Sequence, residues 1–300
     1  MLNRRILRIK AFKVLYSYAE NPAMDLKEAQ KQLRLSCEAV RDLYLFMLAI
    51  VSPLTNEAKT RIEAARGKFN PTEEEKHPNL KFVNNSIAPL LDQDPDFQKI
   101  ISKKKLSWDQ YDAFLRKLYD SIRTKEYYKT YMESADSSLS ADAELFTRIF
   151  EEEFVDSPDL ESILEDMSIY WNDDLAYSLT YCCHTFADFA AGRRWSLPDL
   201  YQDNDNFSRD LLDAAYSGYE RYYGLIADAV PGWDKDRLFI TDLALIITGL
   251  AEAWRFPDIP ARVTINEFVE ISKYYGTQKS RSFVNGLLDK IIKDNFNKRT

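Results

Sequence analysis

The sequence predicts an all-α chain, and three observations carry that reading. Only eight of 300 residues are glycine, few runs alternate β-branched residues, and the stretch from Ile259 to Ile292 repeats its apolar residues at three- and four-residue intervals. Ile265, Phe268, Val269 and Ile271 or Ser272 form one helical stripe, and Phe283, Val284, Leu287, Leu288 and Ile291 form a second. Gly276 between them is a natural C-cap. The turn Thr277-Gln278-Lys279-Ser280-Arg281-Ser282 carries hydroxyls and two cations. It suits either capping of the second helix or gripping of a phosphate, and periodicity does not choose between them.

The first helix is expected over about Asn3 to Tyr18, with Leu7, Ala11, Val14, Leu15 and Tyr18 on its buried stripe. Arg4, Arg5 and Arg8 are expected to fan out along its flank, with Phe12 and Tyr16 continuing that flank. Guanidinium groups leading into aromatic rings suit an RNA strand, whose phosphates attract cations and whose bases stack on π-faces, but a solvated cationic end without a partner gives the same pattern. Two further helices are expected over Leu26 to Ile50 and Leu54 to Lys68, joined at Ser52-Pro53. The charged, turn-rich segment from Phe69 to Pro78 reads as a linker or a loop tip. Ser107-Trp108-Asp109-Gln110 has the pattern of a capping box ahead of a helix bearing Tyr111, Phe114, Leu115, Leu118 and Ile122.

Helices follow over about 141 to 155, 158 to 170 and 173 to 191, the middle one announced by Ser157-Pro158. This block is dense in acid, from Glu151 to Asp174, but lacks a calcium-loop spacing with its central glycine, and it reads as a solvated face. Cys182-Cys183-His184 is expected to be core packing with one polar histidine, because consecutive helical residues diverge by about 100° and do not converge on a metal. A connector from Gly192 to Asn206 leads to a helix from Phe207 to Ala229. The pair Pro231-Gly232 then turns the chain into an apolar helix from Lys235 to Trp254, interrupted by Asp242 and Glu252.

The formal charge of -8 argues against nucleic acid as a partner, but its distribution does not. Residues 1 to 19 carry five cations and no acid, and residues 273 to 300 carry seven cations against two acids, leaving -18 for the rest. Screening over about 8 Å makes such local patches matter more than the total. No apolar run approaches the ~20 residues of a membrane span and no signal peptide is apparent, so a cytoplasmic location is expected. Cys37, Cys182 and Cys183 form no disulfide framework. Neither a dinucleotide nor a P-loop fingerprint is present, Gly-x-Ser-x-Gly is absent, and only His77 and His184 supply imidazole. The expectation is therefore no enzyme, no cofactor and no metal.

Ile259-Pro260, Val263-x-Ile265-Asn266-Glu267, the glycine turn and Phe283-Val284-Asn285-Gly286-Leu287-Leu288-Asp289-Lys290 together resemble the C-terminal signature of the NusB transcription antitermination family. Arg4-Arg5, Arg8, Ala11 and Leu15-Tyr16 resemble its basic first helix, and Phe207-x-Arg209-Asp210-Leu211-Leu212 the opening of a core helix. The likeness covers residues 1 to 20 and 205 to 293. It implies a helical bundle of two subdomains, to which this chain adds a helical, acidic insertion: 1–69 as N-terminal part, 70–204 as insertion and 205–300 as core.

The resemblance further implies an adaptor that binds boxA-like single-stranded RNA and the ribosomal protein NusE, and assists antitermination within the transcription elongation complex on ribosomal RNA operons. RNA binding is then expected at Arg4, Arg5, Arg8, Lys279, Ser280, Arg281 and Phe283, and partner binding at Tyr16 and Asp242. Asp242 matches a family acid that contacts the ribosomal protein, and Glu252 a common core-helix glutamate. Lys279 stands where the family often has an acid, and Ser282 where some members have lysine. These departures leave room for a helical protein-interaction scaffold without RNA binding.

Overall fold

The computed structural model describes residues 2–202, 206–230 and 239–296, and among these every regular element is an α-helix. The chain forms two compact units: Met1–Glu38 with Leu200–Thr300, and Ala39–Asp199. The first division falls inside a helix, α2 (Leu26–Leu48), and the second between Asp199 and Leu200.

In the first unit, α1 (Arg4–Glu20) begins where the Asn3 side chain accepts from the Ile6 amide at 3.0 Å, filling a donor that the helix itself leaves unpaired. It packs on α12 (Phe207–Ser217) and α14 (Ile240–Arg255). The single helix expected from Phe207 to Ala229 is broken at Gly218 into α12 and α13 (Tyr219–Ala229). A Cβ at Gly218 would lie 2.5 Å from the Tyr222 ring, so the close approach of that ring requires glycine. Pro231-Gly232 and the expected helical residues Lys235 to Leu238 lie outside the described residues.

Helix α14 is the centre of this unit. Every residue from Leu243 to Ala253 is buried, because α1, α12, α13, α15 (Ala261–Tyr275) and α16 (Ser280–Phe296) all pack against it. Gly249 allows the closest of these approaches, since a Cβ there would meet Leu288 and Phe268 at 3.0 to 3.2 Å. The two C-terminal stripes meet as expected through Phe268, Ile271, Val284, Leu288 and Ile291, with both Ile271 and Ser272 buried. Each such apolar side chain contributes about 1.5–3 kcal/mol on burial.

The second unit contains α3 (Val51–Arg66), α4 (Glu73–Lys76), α5 (Ile87–Asp92), α6 (Pro95–Lys104), α7 (Asp112–Thr124), α8 (Glu126–Glu133), α9 (Leu139–Glu153), α10 (Pro158–Met167) and α11 (Leu175–Ala190). Its core is aromatic. Phe46 stacks on Trp108 at 4.3 Å and on Trp171 at 5.4 Å, while both indoles donate to backbone carbonyls, of Phe46 and Ala39 respectively. Ser107 does not form the expected capping box: its hydroxyl accepts from the Asp109 amide, and α7 starts at Asp112 without a side-chain cap. Trp108 is drawn into the core instead. The segment after Phe69 contains a true capping box at Thr72 and Glu75, which starts α4. Ser157 caps α10 as expected. His184, expected in the core, is exposed and lies edge-on to Tyr181, while Cys182 beside it is fully buried against the Tyr44 carbonyl.

One polar contact sits inside the first unit's core. Arg8 is only 4% exposed and Glu252 is fully buried. The Arg8 guanidinium donates to both Glu252 carboxylate oxygens, at 2.6 and 3.0 Å, and the Thr264 hydroxyl donates to the same carboxylate at 2.7 Å. Removing one partner of such a pair strands a buried charge, so Glu252→Ala is expected to cost about 3–5 kcal/mol in urea unfolding. Arg209→Ala, which removes an exposed 4.0 Å pair with Asp213, is expected to cost less than about 1 kcal/mol. Equal losses in the two variants would contradict a core role for the Arg8 pair.

Candidate nucleic-acid interface

The three arginines expected along one exposed flank of α1 have three different fates. Arg8 is a correction: it lies in the core on Glu252, with Glu267 a further 3.7 Å away. Arg5 is exposed, but its Nε and Nη2 donate to Glu267 at 2.9 and 2.8 Å. Arg4 is exposed and rests over the Phe207 ring at 4.9 Å. The cations of α1 are thus not unopposed, as the acid-free run 1 to 19 suggests, because α14 and α15 bring acids to them from more than 240 residues away. Phe12 is also drawn in: it is 2% exposed and packs edge-on to Tyr275 at 5.4 Å, leaving no free face for a base.

At the α15–α16 turn the hydroxyls act locally. The Ser280 hydroxyl accepts from the Thr277 amide at 2.8 Å and lies 3.1 Å from the Thr277 hydroxyl, while the Thr277 hydroxyl accepts from the Lys279 amide. These hydroxyls shape the turn, and Ser280, at 1% exposed, is unavailable to a ligand, contrary to its expected place among the RNA contacts. Gly276 caps α15, and a Cβ there would meet the Ser280 Cβ at 2.4 Å, so glycine is required for the turn to close. Lys279 and Arg281 are exposed, with no ion pair among the described residues. Phe283 is half-buried.

The structure brings the two chain ends together on α15. Glu267 holds Arg5, and Glu270, one turn on, pairs with Lys273 at 2.5 Å while also feeling the charges of Arg5 and Arg281. A polar groove runs alongside, lined by Asn266, Glu270, Gln278, Arg281, Ser282 and Asn285. Its amides present donors and acceptors together, and its one arginine lies at the mouth of α16. Asn266, Gln278 and Asn285 carry no groove signal in sequence because each is an ordinary polar residue; only the packing of α15 on α16 aligns them. Glu252 and Glu267 were equally illegible as the arginines' partners, although helical spacing places Arg5 and Arg8 on neighbouring positions of one face.

Of the two expected partner residues, Asp242 is buried and Tyr16 half-buried. Asp242 is 4% exposed in the first turn of α14, and burial pushes its carboxyl up from the ordinary value, with the Ser280 hydroxyl acting in the opposite direction. Its Oδ1 has no hydrogen-bond partner among the described residues. An exposed complement to a basic partner is therefore not available at Asp242. Tyr16 is half-buried, with its hydroxyl held by Glu20.

The Glu267 carboxyl is lowered, first by the Arg5 hydrogen bond, with burial opposing and the charges of Arg5 and Arg8 adding. A depressed carboxyl stabilises the fold above its unfolded value, 4.5, and that contribution is lost as pH falls through the lower folded value. Acidification from pH 6 to below 4 should therefore destabilise the wild type more than Glu267→Gln, by less than about 1 kcal/mol because the pair is partly solvated. Identical pH profiles in urea unfolding would show that this pair does not contribute.

Formal charge separates with the units: residues 39–199 carry 19 Lys and Arg against 29 Asp and Glu, or -10, leaving +2 for the first unit. Among the described residues no group of His, Cys, Asp and Glu is placed to hold a metal, and no helix is long and apolar enough to cross a membrane. The NusB family profile matches residues 191–293. The transcription antitermination protein NusB of Methylacidiphilum infernorum is 46% identical over 100 residues, which are 33% of this chain and 70% of that protein. That of Geotalea daltonii is 31% identical over 125 residues, 41% of this chain and 86% of the relative. That of Syntrophotalea carbinolica is 40% identical over 85 residues, 28% of this chain but only 54% of the relative, so the chain spans about half of that protein's length. No solved structure matches. With the matched segment falling almost wholly in the unit built around α14, the chain belongs to the NusB family.

Proposed function

We propose that the protein is a non-enzymatic, cytoplasmic transcription antitermination factor that binds boxA-type single-stranded RNA and the ribosomal protein NusE during ribosomal RNA transcription. The observation that supports this reading is that Arg5, docked on Glu267, and Arg281, in the groove beside Glu270, come from distant parts of the chain to neighbouring positions on α15. Single-stranded RNA needs cations spaced along a face rather than a closed pocket, and Arg4, Arg5, Lys279 and Arg281 supply them. Arg8 and Ser280 serve this surface indirectly, one by seating α1 and the other by shaping the turn. Phe283 remains a contact at the edge of the surface. NusE is assigned to the exposed part of Tyr16, a rigid amphipathic anchor, rather than to Asp242.

A scaffold without RNA binding is the second reading, favoured by the withdrawal of Arg8 and Ser280 into the interior. A salt titration separates the two. Affinity for single-stranded RNA falls with a log-log slope of about -0.7 per neutralised phosphate, so replacing Arg4, Arg5 and Arg281 together by Ala should flatten the slope by roughly two units. An unchanged slope and affinity would remove these residues from the interface. For the protein partner, Tyr16→Ala should weaken NusE binding by about fivefold or more in calorimetry, and undiminished affinity would exclude that face.

A further inference from the structure

Resting on the RNA-binding reading, we propose that Tyr274 is a base-stacking platform for single-stranded RNA. The residue is 83% exposed, among the largest apolar exposures in the first unit, whereas the adjacent Tyr275 is half-buried against Phe12 and Lys13. Tyr275 thus anchors the end of α15 and leaves its neighbour free.

Helical spacing places Tyr274 four residues after Glu270 and seven after Glu267, on the face where Arg5 docks. Arg5 spends Nε and Nη2 on Glu267, leaving Nη1 without a hydrogen bond among the described residues. Across Glu270 stands Arg281, at the head of the groove lined by Asn266, Gln278 and Asn285. The ring therefore lies near Arg5, and a second cation with three amides lines the groove beside Glu270, one turn earlier on the same helix.

Nucleic acid fits this arrangement better than a hydrophobic peptide. Among the described residues, Lys273, Gln278 and Lys279, which flank the ring on the same helix end and turn, are all exposed and polar. A base offers a flat π-face to Tyr274, and its flanking phosphates reach the two arginines. Amides beside a stacked base present a donor and an acceptor to its edge, the pairing that reads adenine.

The test uses the full chain and a short fluorescein-labelled single-stranded RNA, read by anisotropy across a salt series. Tyr274→Ala is expected to weaken binding about 5- to 100-fold with the salt slope unchanged, because stacking is lost and no charge is removed. Tyr274→Phe should stay within twofold of wild type. An RNA with one abasic position scanned along it should reveal a site where wild type and Tyr274→Ala bind alike. If wild type binds RNA and Tyr274→Ala binds equally well, or if its loss appears as a changed salt slope, stacking at Tyr274 is overturned while RNA binding stands. If wild type binds no RNA, both readings fall.

Discussion

The fold of the first unit depends on how Arg8 is neutralised. A guanidinium taken out of water without a partner costs several kcal/mol, and here the compensation is bidentate and completed by a third donor, the Thr264 hydroxyl. Arg8 belongs to α1, Glu252 to α14 and Thr264 to α15, so one carboxylate sets the position of three helices. Burial through Leu7, Ala11 and Leu15 alone would tolerate sliding of α1 along its axis; a buried fork of hydrogen bonds does not.

From that register the surface follows. Arg5 lies one turn before Arg8, and with α1 fixed it meets Glu267 rather than open solvent. The same placement sets Arg4 over Phe207, whose ring is itself packed on Phe256. The C-terminal cations reach the neighbouring position through a different device, the Gly276 turn closed by Thr277 and Ser280. Two basic segments almost 280 residues apart thereby share α15 as their common support. The -10 charge of residues 39–199 would repel a polyanion, whereas the family-like unit carries +2.

What could be read from sequence follows the range of the interactions involved. The two C-terminal helices, the Gly276 cap and the Ser157-Pro158 start depend on neighbours within a few residues, and their patterns were visible. The glycine break at Gly218 was not, because its cause is the ring of Tyr222 pressed against the backbone, not composition. Arg8 reads in sequence as an exposed RNA contact because its acid lies 244 residues away, and Asp242 as a partner contact because nothing local reports its burial beside Ser280 of α16. Charge counts along a chain reveal where cations are dense, but exposure decides which of them can meet a ligand. In the second unit the misreading of Ser107 has the same origin: the pull on Trp108 from Phe46 outweighs a local capping preference.

The central claim is that the first helix and the α15–α16 end form one RNA-binding face while the added unit stays out of it. Amide hydrogen exchange on the full chain, with and without single-stranded boxA RNA, tests this most directly. The account predicts added protection at the start of α1 and across residues 266–285, with no change over residues 39–199. Protection confined to residues 39–199, or none at either chain end, would contradict it.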